Sequence, residues 1–216
     1  MKFTLILLTA LFLFTLAPEI PAQVKGRKPL PKATPVSKPV NTAVTFIPGR
    51  QDADGWKLYE SKEDAFKTAF PPTPIVFDEK DALGKKTGNR YYIPEPVTPV
   101  KLSLTVIVSD MGAPADDPEF QRLLYDTWLE GVMETRPGVE AAKLVLKKEF
   151  TLAGKFGLEV IVDKGVFRFH GKVISVKNKL YQIGVGSATP DASKAEDLAE
   201  VEKWTKKFFD SFVLLP

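Results

Sequence analysis

Four alternating runs near the C-terminal end place the tightest limit on what this chain can fold into. "AKLVLKKEFTL" (142–152), "LEVIVD" (158–163), "VFRFHGKVISV" (166–176) and "LYQIGV" (180–185) are separated by "AGKFG", "DKG" and "KNK". Alternation of apolar and polar residues is the mark of a strand, and links this short can only join antiparallel neighbours. An antiparallel meander follows. In its first run Leu144, Leu146, Phe150 and Leu152 alternate against Lys143, Lys147 and Glu149. Near Gly171 the phase slips, because Phe167 and Phe169 take one parity while Ile174 and Val176 take the other; a bulge is expected there.

Upstream, "VKLSLTVIVSD" sets Val100, Leu102, Leu104, Val106 and Val108 against Lys101, Ser103 and Thr105, which predicts a strand with one buried face. "NRYYI" is a further strand, and "AFKTAF" (65–70), stopped by Pro71-Pro72, reads as a short edge strand. The folded part is expected to begin at Trp56.

Two segments have helical period. "DDPEFQRLLYDTWLEGVMET" opens with Asp117 as N-cap and Pro118 at the first helical position. Its Phe120, Leu124, Trp128 and Val132, with Leu123 beside them, form the expected buried stripe, and Arg136-Pro137-Gly138 ends it. The last element, "DASKAEDLAEVEKWTKKFFDSFVLLP", begins at Thr189-Pro190 or Asp191. It lines up Ala195, Leu198, Val201, Phe208 and Phe212, supported by Trp204 and Phe209, opposite Glu196, Glu200, Lys203 and Lys207. Helices this apolar on one side must cover a sheet. The fold class is therefore α+β, an antiparallel meander flanked by helices as an α/β/α sandwich.

The order of "FKTAFPP", a long strand, an acid-capped helix, the "LAGKFGLEV" hairpin, "KLYQIGV" and a closing helix ending "FFDSFVLL" resembles the PsbP-like fold family. Its namesake is an extrinsic lumenal subunit of photosystem II, and small secreted bacterial proteins share the pattern. The resemblance spans Trp56 to Leu215. It implies a sheet flanked by helices and members that act by binding proteins or small ligands. No family-wide catalytic motif is matched, so it carries over no catalytic residues.

Residues 1–22 read as a secretory signal: Lys2 precedes the uncharged apolar run Phe3 to Ala17, which is too short to span a bilayer, and Ala22 is the expected cleavage residue. Residues 23–55 read as a proline-rich basic linker, with five prolines between 29 and 48. This soluble spacer could also touch anionic lipid or cell-wall polymer. Residues 56–216 form the expected domain, with Ala43 to Ile47 as a short docked strand. The formal net charge of +3 is misleading, since residues 24–54 carry six Lys/Arg and two Asp. Residues 55–216 carry 23 basic and 24 acidic side chains, a net of −1 that lacks the surplus of a nucleic-acid binder. With no cysteine, thiol catalysis, thiolate metal sites and disulfides are excluded, so stability must come from core burial.

Few residues suggest chemistry. Gly184-Val185-Gly186-Ser187 follows a strand, but position 189 is Thr where a dinucleotide fingerprint needs its third glycine, and no Gly-Lys-Ser/Thr occurs. It reads as the handover from strand to helix. Asp52-Ala53-Asp54-Gly55 resembles the start of a calcium loop, but Trp56 occupies the third oxygen position, which leaves an Asx-rich turn. His170, the single histidine, shares a strand face with Arg168 and Lys172 and lacks a nucleophile elbow nearby. These three residues are the expected contact for a partner or an anion. The function expected is a secreted or envelope-associated, non-enzymatic domain that binds a protein or small molecule, with no cofactor or metal. The alternative is a hydrolase or transferase using carboxylates assembled by the fold.

Overall fold

The computed structural model describes residues 45–93, 102–112, 117–135, 140–188 and 195–216. The expected signal at 1–22, the expected linker as far as residue 44, the 94–101 stretch, the expected helix stop at 136–138 and the expected start of the last helix at 189–191 lie outside the described residues.

In chain order the elements are β1 (Thr45–Gln51), β2 (Lys57–Ser61), β3 (Phe66–Phe70), β4 (Ile75–Lys80), β5 (Lys86–Ile93) and β6 (Ser103–Asp110). Then come α1 (Pro118–Met133), β7 (Lys143–Leu152), β8 (Lys155–Lys164), β9 (Phe167–Val176), β10 (Lys179–Ala188), α2 (Ala195–Ser211) and β11 (Val213–Leu214). A seven-stranded sheet has the order β4-β5-β6-β10-β9-β8-β7, and a four-stranded one the order β1-β2-β3-β11. Every pairing is antiparallel. The expected meander is thus β7 to β10, packed through β10 against the centre of the sheet at β6.

Both faces of the large sheet are covered. On one, Leu104, Val106, Val108, Ile174, Tyr181, Ile183 and Val185 meet Trp204, Phe208 and Phe209 of α2 and Tyr59, Phe66 and Phe70 of the small sheet. On the other, Leu158, Val160, Val162, Phe169 and Val173 meet Tyr125, Trp128, Leu129 and Val132 of α1. Double coverage changes several expectations. β6 is buried on both faces rather than one, because it lies inside the sheet under two layers. No bulge interrupts β9, whose register runs unbroken from Phe167 to Val176 against β10 and from Phe167 to Ile174 against β8. The apolar phase changes at Gly171 because Phe169 and Val173 serve the α1 core while Ile174 serves the α2 core. A bulge sits instead in β7 between Leu144 and Leu146, so those leucines occupy opposite faces.

β3 is not an edge strand: the chain end returns as β11 and pairs Val213 with Lys67 and Leu214 with Phe66. β1 reaches into the 23–55 stretch and pairs Thr45 with Glu60 and Phe46 with Tyr59. Asp117 caps α1 as its residue type predicts, accepting from the Phe120 amide at 2.9 Å. The buried stripe is rotated, however: Gln121 and Tyr125 are buried, while Phe120 and Leu123 are 44% and 57% exposed. Polar anchors set that rotation. The Tyr125 hydroxyl donates to Phe156 O at 2.9 Å and accepts from the Ser175 amide at 2.8 Å, and Trp128 Nε1 donates to Gln182 Oε1 at 3.0 Å.

Gly184 and Gly186 lie inside β10, which runs to Ala188, and not in a turn. They are glycines because aromatic rings cross the sheet above them. A Cβ on Gly184 would sit 2.7 Å from the Phe169 ring and 3.0 Å from Thr105 Cγ2; one on Gly186 would sit 2.6 Å from the Phe167 ring. Gly131 in α1 faces open space. Gly184→Ala is therefore expected to lower unfolding free energy by about 1–3 kcal/mol through overpacking. Gly131→Ala should raise it by about 0.5–1 kcal/mol through helix propensity. Urea denaturation of both variants checks the pair, and equal effects of the same sign would contradict it.

Candidate functional site

Past the cover of α2, the same face of β7, β8 and β9 becomes polar. Cross-strand register builds it: Asp163 faces Arg168, Ile161 faces His170 and Glu159 faces Lys172 on β9, while Lys148 of β7 faces Glu159 and Lys143 faces Asp163. Alternation adds Lys155 to that face of β8. The three residues expected as a contact, Arg168, His170 and Lys172, do share this face, and each meets a carboxylate. Arg168 grips Asp163 through two bonds, Nε to Oδ1 at 2.6 Å and Nη2 to Oδ2 at 2.9 Å. His170 Nε2 lies 2.6 Å from Glu159 Oε1, and Lys172 and Lys148 stand 3.5 and 3.4 Å from Glu159 Oε2.

Phe209 of α2 closes the inner side, its ring edge-on to His170 at 4.8 Å and under Lys172 Nζ at 4.6 Å. Phe150 lies 5.3 Å from the same ammonium. Glu159 is only 8% exposed. Burial acts to raise its carboxyl, but the His170 hydrogen bond and the charges of Lys172, His170 and Lys148 outweigh burial and hold it at about 2. Glu159 and Asp163 are four residues apart on one strand, about 13 Å along it. Paired carboxylates that divide acid and base roles lie closer, roughly 5–9.5 Å apart.

A second polar constellation lies at the junction of the two sheets. Asp64, 2% exposed in the β2–β3 turn, accepts from Tyr91 Oη at 2.5 Å, Asn89 Nδ2 at 2.8 Å and Lys179 Nζ at 3.0 Å. Its carbonyl accepts from Tyr181 Oη at 2.9 Å. Burial and then Asp64 raise both tyrosines, Tyr181 to about 12 and Tyr91 further. With every carboxylate oxygen committed, this cluster is a clasp between the sheets. Asp52 forms the expected Asx turn, its Oδ1 accepting from the amides of Asp54 and Trp56 at 3.0 Å each. Lys207, expected to face water, instead reaches Asp52 and Asp54 at 2.7 and 2.5 Å beside the stacked rings of Trp56 and Trp204.

Glu159, Lys148, Phe209 and Asp64 carried no signal as site residues in the sequence. Lone charges in strands gain meaning only from register, and the register arises from pairing between distant segments.

Two stability tests follow. Because the Glu159 carboxyl is depressed in the fold from its ordinary 4.5 to about 2, its contribution is complete above pH about 4.5 and is lost as pH falls toward about 2. Solvent around Lys148 limits the loss to about 1–2 kcal/mol. Urea midpoints at pH 5 and pH 2.5 should show it, and Glu159→Gln should flatten that dependence. Asp64→Asn should cost about 2–4 kcal/mol by leaving Lys179 without its carboxylate. Lys179→Met in the same chain should recover part of that loss, and strictly additive effects would contradict the clasp.

The sequence matches no family model and no curated protein. Among solved structures it is similar to cyanobacterial PsbP (CyanoP) from Synechocystis sp. PCC 6803, with a TM-score of 0.52, 17% identity and coverage of 76% of this chain and 94% of that one. It is also similar to the Ran-binding protein Mog1p of Saccharomyces cerevisiae, with a TM-score of 0.43, 13% identity and coverage of 74% and 95%. Identities this low speak of fold alone. The order of strands and the two flanking helices give this chain the PsbP-like α+β fold.

Proposed function

We propose that this chain is an exported, non-enzymatic binding module whose β7–β9 face receives an anionic surface of a protein partner. One observation carries the reading: among the described residues of β7, β8 and β9, Lys143, Lys148, Arg168 and Lys172 share this face with the two carboxylates Glu159 and Asp163. Residues 55–216 as a whole have a net charge of −1, so the local surplus is a concentration of charge and not a general basicity. The two carboxylates hold Arg168, His170 and Lys172 in fixed rotamers, which lowers the entropy lost when a partner meets them. Phe209 and Phe150 supply apolar surface beneath the charges, the combination of anchor and polar rim that protein interfaces use. Export rests on residues 1–22, and residues 23–44 would serve as a tether.

Crosslinking with mass spectrometry on native envelope and secreted fractions, using the full chain, tests this. A reproducible partner joined through Lys148, Lys155 or Lys172 is expected. Lys148→Glu with Lys172→Glu should reduce its capture about tenfold or more, as expected where charge complementarity selects the partner. Crosslinks confined to the α1 side, or turnover of an ester or phosphoester that Glu159→Gln abolishes, would overturn the proposal.

A further inference from the structure

We infer that the outer edge of β7 is a docking edge for an acidic, extended peptide, which adds a strand to the seven-stranded sheet. The inference rests on the binding-module reading and names its partner more closely. β7 is the last strand of the sheet, ten residues long, and among the described residues it pairs only with β8. Its outward backbone N–H and C=O groups therefore form a template for another strand. No helix or loop among the described residues shields it: Lys143, Leu144, Val145, Lys147, Lys148, Glu149 and Thr151 are all exposed. The bulge at Leu144/Leu146 ends regular geometry on one side, which leaves Leu146–Leu152 as a regular seven-residue stretch, ample for a typical strand.

Charge selects the occupant. Lys147 and Lys148 are consecutive, so they stand on opposite faces, one beside Asp126 of α1 and the other beside Glu159. An incoming strand thus meets a lysine on each face, and acidic side chains at both parities match them. β7 itself carries three lysines and one glutamate, a net of +2 per strand, so pairing with the same strand of a second copy is repulsive. The lysines that discourage self-pairing favour an acidic strand, discrimination by repulsion as well as attraction.

The test uses the full chain and a fluorescein-labelled nine-residue peptide of alternating glutamate and valine, read by anisotropy and by hydrogen exchange at β7. A companion peptide carries N-methyl groups at two consecutive central residues, which block both of its edges and preserve its charge. Expected are saturable binding of the parent peptide, new protection of amides within Leu146–Leu152, and an affinity loss of at least about tenfold for the companion. Lys143→Glu with Lys147→Glu should weaken the parent peptide by a similar factor. Equal binding of both peptides would overturn edge pairing and leave the basic face standing, because charge would then suffice. Absence of parent-peptide binding would overturn it too, while the crosslinking result decides the broader reading separately. Protection of β7 without peptide that grows with protein concentration would assign the edge to a second copy and likewise overturn the inference.

Discussion

Burial of both faces of one antiparallel sheet governs the rest of the molecule. Strands β6, β9 and β10 carry apolar side chains at both parities, and water cannot be left against either side. One cover is α1, which packs across β8 and β9 through Tyr125, Trp128, Leu129 and Val132. The other combines α2 with the small sheet, whose Phe66 and Phe70 pack against Phe212 and Phe208. The chain end is tied into this second cover: β11 pairs with β3, and Leu215 N donates to Ala65 O at 2.8 Å. The Asp64 clasp then joins the two sheets with charge-assisted hydrogen bonds, which are costly to break once buried.

The proposed binding surface lies where a cover stops. α2 packs over β10 and reaches β9 through Phe209, and beyond it the β7–β9 face sets charged side chains around Ile161 and Leu146. Glu159 marks the border. It is buried like a core residue yet remains ionised because the His170 hydrogen bond and the ammonium groups of Lys172 and Lys148 outweigh its burial. Such an arrangement holds its side chains in place, as the proposed binding role requires.

Local pattern made much of the architecture legible. The meander, the Asp117-capped helix, the C-terminal amphipathic helix and the Asx turn at Asp52 all depend on neighbours in sequence, and each formed close to where its residues indicate. Departures share a cause. The apparent slip at Gly171, the rotated stripe of α1, the interior β3 and the in-strand glycines at 184 and 186 all depend on which distant element lies opposite. Phe169 crowds Gly171, two residues along the same strand, and Gly184 on the next one, and nothing near Gly184 in the chain announces that ring.

For the candidate site the division is similar. Arg168, His170 and Lys172 could be placed on one face by parity alone, since a strand alternates with period two. Their partners could not, because Glu159 and Asp163 are brought to them by the β8–β9 hairpin register, Lys148 by the next strand and Phe209 by a helix forty residues away in the chain. By itself the sequence determined the meander strands, the two helices and the absence of thiol chemistry, since these follow from short-range stereochemistry and composition. Only the tertiary structure decided which charges are paired, which carboxylate is buried and which strand ends the sheet among the described residues, because those depend on long-range pairing and on where each covering layer ends.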